Sequence, residues 1–496
     1  MLIARYYGAS GQTDCFFFAL IIPELLRTLI ISGAVASVFI PLMSRTQREG
    51  KPDEARRLAG LMLSFVSLLA IAVVFLGEAA APLLVRASEI LSFAKEPLQA
   101  DRFELTTDLI RVFLPVVFLV SLWGLMGGIL NALDNFHVPG LAPIAWNGTI
   151  IVLVLIFGGR GDVHHVAWAF VIGHAVQVAV HLPSLLAAGI RPIAINWKHP
   201  MLREFLVLAP AALLAYAAQA VNAFVGQGIA LNLSESAASS LAYAFRIQQL
   251  PMAIFGVSVA TALFPTLSRQ AAAGAAKEVV RTLSNGLRMT ALATLPAVVF
   301  FLVLPEETIR LLLERGVFTS RNTSDVSLAL YCYSWGIMPM ALLLLTARTF
   351  FSEKDMRTPA ILGLCSIALN YLLCLSLSRL LGFAGIAVST VTVAWLVLIL
   401  SVGILDSRYE SAQSLLRAIG LRSPGQMILA GICEAGALLA FKHFIGPVHG
   451  TWALLGMIFV AAVIGAIVYL GILRLLRNDD LGATLRRLPG KVNGPA

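Results

Sequence analysis

Phe39-Ile40-Pro41-Leu42-Met43-Ser44-Arg45 returns as Leu263-Phe264-Pro265-Thr266-Leu267-Ser268-Arg269, 224 residues further along the chain. A second pair keeps nearly the same register: Asp134 to Pro139 opens one apolar run, and Asp355 to Pro359 opens another about 221 residues on. Either match alone is a short coincidence of residue types. Two at one offset predict two homologous halves. Each half holds six apolar elements, the first half counting the short stub at Met1–Tyr7 with its five full runs, and an even number returns the chain to its starting side, so the halves are parallel repeats about an axis along the membrane normal. Transporters built this way place their sites near the midplane, between the repeats.

The composition says what those runs are. Of 496 residues, 58% are hydrophobic and 13% charged, against ~45–50% and ~25% in soluble domains; the mean hydropathy is +0.86. A membrane span needs ~20 apolar residues, so the apolar share suffices for about 14 spans and little else. A soluble enzyme core and a globular nucleic-acid-binding module are excluded at this point. Windows nearly free of Asp, Glu and Lys predict thirteen spans, at 15–42, 59–77, 109–130, 138–158, 164–187, 204–226, 239–264, 289–304, 326–351, 358–378, 382–405, 426–446 and 452–473. Met1–Tyr7 is apolar but too short to cross a bilayer, and reads as the last turns of a helix that begins upstream. The five cysteines (Cys15, Cys332, Cys365, Cys374, Cys433) lie in or beside apolar runs without metal-ligand spacing, so they read as small buried side chains.

The net charge of +9 follows from topology. Of 36 Lys and Arg, 23 fall in one set of alternate loops and the tail, among them Arg45, Lys51, Arg203, Arg281, Arg357 and Arg474, and nine fall in the opposite set. Cytoplasmic loops hold the excess of Lys and Arg, which places the C-terminus inside. No basic stretch is interleaved with aromatics in a domain able to hold a strand, so nucleic acid is not an expected partner.

That leaves the charges inside spans, where an Arg costs ~2.5–3.5 kcal/mol at the centre of a helix and is functional by default. Arg27, three residues after Glu24, and Arg246, in Phe245-Arg246-Ile247-Gln248-Gln249, occupy the same repeat element in the two halves. Facing each other across a cavity, the two guanidinium groups would fork onto phosphate oxygens, a chemistry suited to a pyrophosphate. The alternative is structural: Glu24 neutralises Arg27, and Arg246 bonds carbonyls or Gln248 and Gln249. Glu434 and Lys442, two turns apart, are too distant to touch and read as packing or interface residues. His174 and His181 share a helix face, but that span lacks the acidic neighbours a proton relay needs.

Ala4-Arg5-Tyr6-Tyr7-Gly8-Ala9, Thr13-Asp14-Cys15-Phe16-Phe17, Pro23-Glu24-Leu25-Leu26-Arg27, Leu130-Asn131-Ala132 and the run Tyr243 to Pro251 together resemble the MurJ (MviN) family of lipid II flippases, over essentially the whole chain. The resemblance implies an all-α polytopic membrane protein with a MATE-like architecture of fourteen helices. Residues 1–190 would form the first six-helix lobe, its first helix a stub; 200–410 the second lobe; 420–478 a helix pair forming a groove for the polyprenyl tail; and 479–496 a cytoplasmic tail. It further implies alternating access in the bacterial inner membrane, with lipid II carried outward for peptidoglycan synthesis by a monomer. Arg27 and Arg246 match cavity arginines of the family, and Asp14 an acidic residue at the outer end of the first hairpin; with Glu24 and Gln249 they make up the candidate substrate-binding set. No catalytic residue, metal ligand, cofactor or ATP motif is expected; a coupling cation is left open. The chain departs from the pattern at Ser32, where the family has Glu, and at Phe245, where an Asp often precedes the arginine. Alternative readings are a flippase for another polyprenyl-linked glycan, a drug exporter of the same fold, or a transport-impaired homologue.

Overall fold

A bilayer offers the backbone no hydrogen bonds, so a chain this apolar crosses it as helices that satisfy their own backbone groups. The computed structural model describes residues 1–27, 49–93, 97–159, 161–193, 199–411 and 413–482, with positions 39, 43, 45, 46 and 196; among these there is no strand. The repeat around Pro41, Ser32, most of the second half of the 15–42 window and the tail beyond 482 lie outside the described residues. Ten described helices are long and apolar enough to cross a membrane, eleven with one bent pair counted as a single span. The two remaining predicted windows fall on α2 and α7 below. The chain is therefore a multi-pass membrane protein.

It divides into two compact units. The first comprises Met1–Ser239 with Arg315–Phe318 and Gly363–Leu375. It contains α1 (Leu2–Tyr7), α2 (Gly11–Arg27), α3 (Pro52–Ser92), α4 (Ala100–Ala132), α5 (His137–Phe157), α6 (His164–Ala187) and α7 (Pro200–Leu231). At 41 residues, α3 is about 60 Å long at 1.5 Å per residue, twice the ~30 Å of hydrocarbon it crosses. Pro52, Asp53 and Glu54 start it, the imino acid and both carboxylates suiting a helix N-terminus. α4 packs against α2, α3 and α6. Their contact is aromatic: the Phe16 ring lies 5.4 Å from Phe113 and 5.7 Å from Phe170, both edge-on, each pair adding ~0.5–1.5 kcal/mol beyond burial. α1 is held by Tyr7, whose hydroxyl donates to the Asp162 carbonyl at 3.0 Å, and by the Val317 amide, which donates to the Arg5 carbonyl at 3.0 Å. Gly316 makes that approach possible, having a φ of +66° and no Cβ to strike the Arg5 carbonyl.

The second unit comprises Ser240–Glu314, Thr319–Leu362 and Ser376–Ala496. α8 (Ala237–Pro251), which starts at the unit boundary, runs through a π-helical turn (Met252–Val257) into α9 (Ser258–Ala272). There follow α10 (Ala276–Val303), α11 (Pro305–Leu313), α12 (Ser320–Ser334), α13 (Ile337–Ser352), α14 (Arg357–Leu381), α15 (Phe383–Tyr409), α16 (Leu415–Ile419), α17 (Arg422–Ile445) and α18 (Thr451–Leu475). The window 326–351, expected as one span, is two helices bent by 44°; Trp335 and Gly336 separate α12 from α13, and Pro339 follows within one turn.

The repeat survives in backbone detail. After α4, Asp134 takes a left-handed φ of 60° and the Asn135 amide reaches back to the Leu130 carbonyl at 2.9 Å. After α13, Lys354 has a φ of 60° and the Asp355 amide reaches the Phe350 carbonyl at 3.0 Å. This is the same helix-ending turn in both halves, 220 residues apart, each built on a non-glycine residue in a region such residues seldom enter.

Candidate substrate-binding site

Asp14 lies in the first turn of α2 and is 0% exposed. Its Oδ1 accepts from the Ser239 amide at 2.8 Å and the Ser239 hydroxyl at 2.7 Å; its Oδ2 accepts from the Ser236 amide at 2.8 Å and Arg102 Nη2 at 3.2 Å. Arg102 donates in addition to the Leu231 carbonyl at 3.3 Å, the last residue of α7. The carboxylate thus caps the N-terminus of α8 from a distant part of the chain, meeting amides that a helix start leaves unsatisfied and the positive end of its dipole. Ser236, at a φ of 67°, turns the chain so that both amides converge on one carboxylate.

Arg27 is the last residue of α2, and its side chain lies outside the described part of the molecule. Glu24, one turn earlier, is exposed. On α8 the faces are distinct. Tyr243, Ala244, Ile247 and Gln248 are buried, Gln248 donating to the Met340 sulfur at 3.3 Å, while Arg246 is exposed and Gln249 half-buried. Residues three and four apart share a helix surface, so Arg246, Gln249 and Leu250 form one stripe, directed away from the packed face and ending at Pro251, where the π-helical turn begins. Gln248, offered by the sequence as a partner for Arg246, is turned toward α13. The two arginines belong to different units.

A family model described as lipid II flippase MurJ matches residues 3–460. The chain belongs to the MurJ family. Among its relatives, a probable lipid II flippase MurJ of Rhizobium tropici is 28% identical over 510 residues, which span 100% of this chain and 93% of the relative. A solved lipid II flippase MurJ in an inward closed conformation superposes with a TM-score of 0.75 at 22% identity, covering 96% of this chain and 95% of that one. An inward-facing MATE family multidrug resistance transporter gives 0.69 at 16% identity, covering 83% and 93%. Both superpositions bear on the fold, which is the MurJ and MATE architecture that the resemblance implies.

Within this MurJ family member the other polar residues singled out from the sequence are packed or paired to different degrees, Glu434 Oε2 being buried without a hydrogen-bond partner. Glu434, on α17, is 2% exposed and packs against Gly465 of α18. Lys442 pairs with Glu307 of α11 at 2.8 Å. His174 Nδ1 lies 2.9 Å from Gln177 Oε1, and His181 Nδ1 2.8 Å from the Gln177 carbonyl, so one glutamine holds both rings. In the loop after α13, Asp355 accepts from the Thr358 hydroxyl at 2.6 Å and amide at 3.0 Å and from Arg408 at 2.5 Å. Partial burial works to raise its pKa, but these bonds outweigh it and hold the carboxyl well below the usual carboxylate range. Arg102, one of the nine basic residues that the sequence places in the opposite loops, is the partner of Asp14 that the sequence reading missed. The available signal was Ser236 and Ser239 opening an apolar helix, which marks a cap but not which residue supplies the acceptor.

Proposed function

We propose that this chain carries lipid II from the cytoplasmic to the outer leaflet of the bacterial inner membrane by alternating access, for peptidoglycan synthesis. Membership of the MurJ family carries the reading, and the exposed Arg246 on α8 supports its chemistry. In this reading residues 1–190 and 200–410 act as two rocking lobes, and the pair within 420–478 guides the polyprenyl tail while it stays in lipid. Arg27 and Arg246 hold the pyrophosphate from opposite lobes; Gln249, beside Arg246 on its stripe, bonds the headgroup; Glu24 tunes Arg27. Asp14 acts by positioning the start of α8 and not by direct contact. A guanidinium suits the task because it stays charged at any physiological pH and presents a planar fork to phosphate.

The protein works as a monomer with its C-terminus in the cytoplasm, makes and breaks no covalent bond, and uses no cofactor. An anionic headgroup leaving a negative interior gains ~2.3 kcal/mol per charge per 100 mV, so the membrane potential supplies the drive without ATP. The test is rescue of a flippase-depleted bacterium. Arg27→Ala and Arg246→Ala each abolish rescue while reaching the membrane in normal amount, and Arg246→Lys restores it in part, keeping charge without the fork. Full rescue by both alanine variants would sink the phosphate-clamp assignment.

A further inference from the structure

At one end of the second unit, α11, the last turn of α17 and the first turns of α18 surround a cavity of about 470 Å3. Its polar wall carries both signs: Glu306 and Glu307 with Arg310, Lys442 and His443. Its apolar wall is Leu454 and Met457; Phe444 and Trp452, next to lining residues in the chain, are 87% and 84% exposed, as aromatic residues are at the level of lipid headgroups. Glu307 is 8% exposed. Lys442 occupies its Oε1 at 2.8 Å, while its Oε2 is sealed and lacks a donor, a costly state for a buried carboxylate oxygen. Arg310 spends one nitrogen on the Val448 carbonyl at 3.2 Å and lies only loosely beside Glu314, at 3.9 Å.

These features select one kind of ligand. A free anion would meet two carboxylates, and a free amine would meet two fixed cations. A molecule with a phosphate and an ammonium a few ångströms apart, and acyl chains below them, meets a partner at every point. The ammonium must be a primary one: it has three N–H donors, whereas a trimethylated choline nitrogen has none to offer the orphan Oε2 of Glu307. We propose that this cavity binds an ethanolamine phospholipid, its phosphate on Arg310, Lys442 and His443, its ammonium on Glu306 and Glu307, and its chains along Leu454 and Met457. Binding exchanges partners. Lys442, whose side chain is 38% exposed, turns from Glu307 to the phosphate, and the lipid ammonium replaces it and supplies the missing donor. This ligand is a resident lipid at the edge of the α17–α18 pair, separate from the transported substrate.

Native mass spectrometry of the delipidated full-length protein, titrated with phosphatidylethanolamine, phosphatidylcholine and phosphatidylglycerol of identical chains, tests the site. One ethanolamine lipid is expected to be retained at least tenfold more strongly than either of the others. Glu306→Gln, an exposed change that leaves the fold intact, lowers that retention at least threefold, and Glu306→Gln/Glu307→Gln brings it to the choline level. Inorganic phosphate at millimolar concentration leaves the lipid bound. Equal retention of ethanolamine and choline lipids, equal retention of ethanolamine and glycerol lipids, displacement by phosphate alone, or indifference to Glu306→Gln would each overturn the proposal. Rescue of a flippase-depleted strain is scored separately, so failure of the flippase reading and failure of this one are told apart.

Discussion

Replacing Asp14 by alanine removes, in one step, the acceptor of four donors: the amides of Ser236 and Ser239, the Ser239 hydroxyl and Arg102 Nη2. A hydrogen bond to a charged group contributes ~1.5–3 kcal/mol, a helix cap ~0.5–2 kcal/mol, and breaking a buried ion pair costs ~3–5 kcal/mol. These terms describe overlapping contacts and do not add. Arg102 retains the Leu231 carbonyl and is 15% exposed, which discounts its share, so the cost of local opening comes to ~3–4 kcal/mol. With ~1.4 kcal/mol per factor of ten, amides of residues 236–239 in Asp14→Ala exchange with deuterium roughly 10²–10³ times faster than in the parent. Asp14→Asn, which keeps one carbonyl acceptor but directs an NH2 at donors, falls between. Exchange read by mass spectrometry on peptides covering residues 231–241 in detergent is the assay, with peptides from α14 as the internal control. Acceleration of less than about threefold in Asp14→Ala, with the control unchanged, would refute the capping role and return Asp14 to the list of free substrate ligands.

Three further outcomes are expected. Gly316→Ala places a Cβ against the Arg5 carbonyl at a φ of +66°, strain of ~1–2 kcal/mol before the clash is counted; limited proteolysis of the first ten residues then accelerates about tenfold or more, and an unchanged rate would contradict the docking of α1. Asp355, with a folded pKa below its unfolded value of ~3.9, contributes stability that is complete above about pH 5 and is lost as pH falls through the folded value; thermal unfolding followed from pH 5 to pH 2.5 declines less steeply in Asp355→Asn than in the parent, and parallel profiles would deny the linkage. A Cβ on Gly465 would stand 2.9 Å from Glu434 Oε1, so Gly465→Ala destabilises by ~1–3 kcal/mol; adding Glu434→Ala recovers ~1 kcal/mol relative to the sum of the single changes, and strict additivity would show that the two positions do not touch.

Hydropathy located the spans because lipid penalises every polar side chain it meets, but it marks the membrane and not the helix. The window 59–77 stops before Glu78, while α3 continues to Ser92, since a charged residue leaves the bilayer without ending the hydrogen-bond ladder. The break between α12 and α13 had a local signal, Gly336 followed by Pro339, that an apolar window averages away. The repeat was legible because Asp and Pro recur at nearly one offset near equivalent turns, although the left-handed position itself is Asp134 in one turn and Lys354 in the other. The candidate site was legible only as residue types. Arg246 could be picked out because a charge in a span demands a reason, whereas the partners of Asp14 stand 88 and 225 residues away, and no local periodicity relates such positions. The same limit applies to Lys442, which sequence spacing kept out of reach of Glu434 without naming a partner and which the fold joins to Glu307.

The attachment of the α17–α18 pair within the second unit shows what polar residues do where the hydrophobic effect is absent. Between helices in lipid, apolar surface gains nothing by leaving lipid, and packing alone must hold them together. Along its middle, α17 offers α10 only such packing, Gly431 against Leu295 and Val299. At one end Arg288 of α10 donates to Asp480 at 2.9 Å and to the Ala418 carbonyl at 2.6 Å, while Ser423 bonds Asp480 and Asn478 donates to Gln426 at 2.8 Å. At the other end Lys442 meets Glu307. The 19 residues of α17 from Ser423 to Lys442 separate these clusters by about 28 Å at 1.5 Å per residue, roughly the thickness of the hydrocarbon, so each sits where water can solvate the charges it leaves unpaired. Sliding or rotating the pair against α10 and α11 requires breaking both clusters, whereas tilting all of these helices together breaks neither. The pair is therefore fastened to α10 and α11 at both ends by polar clusters that packing alone would not supply.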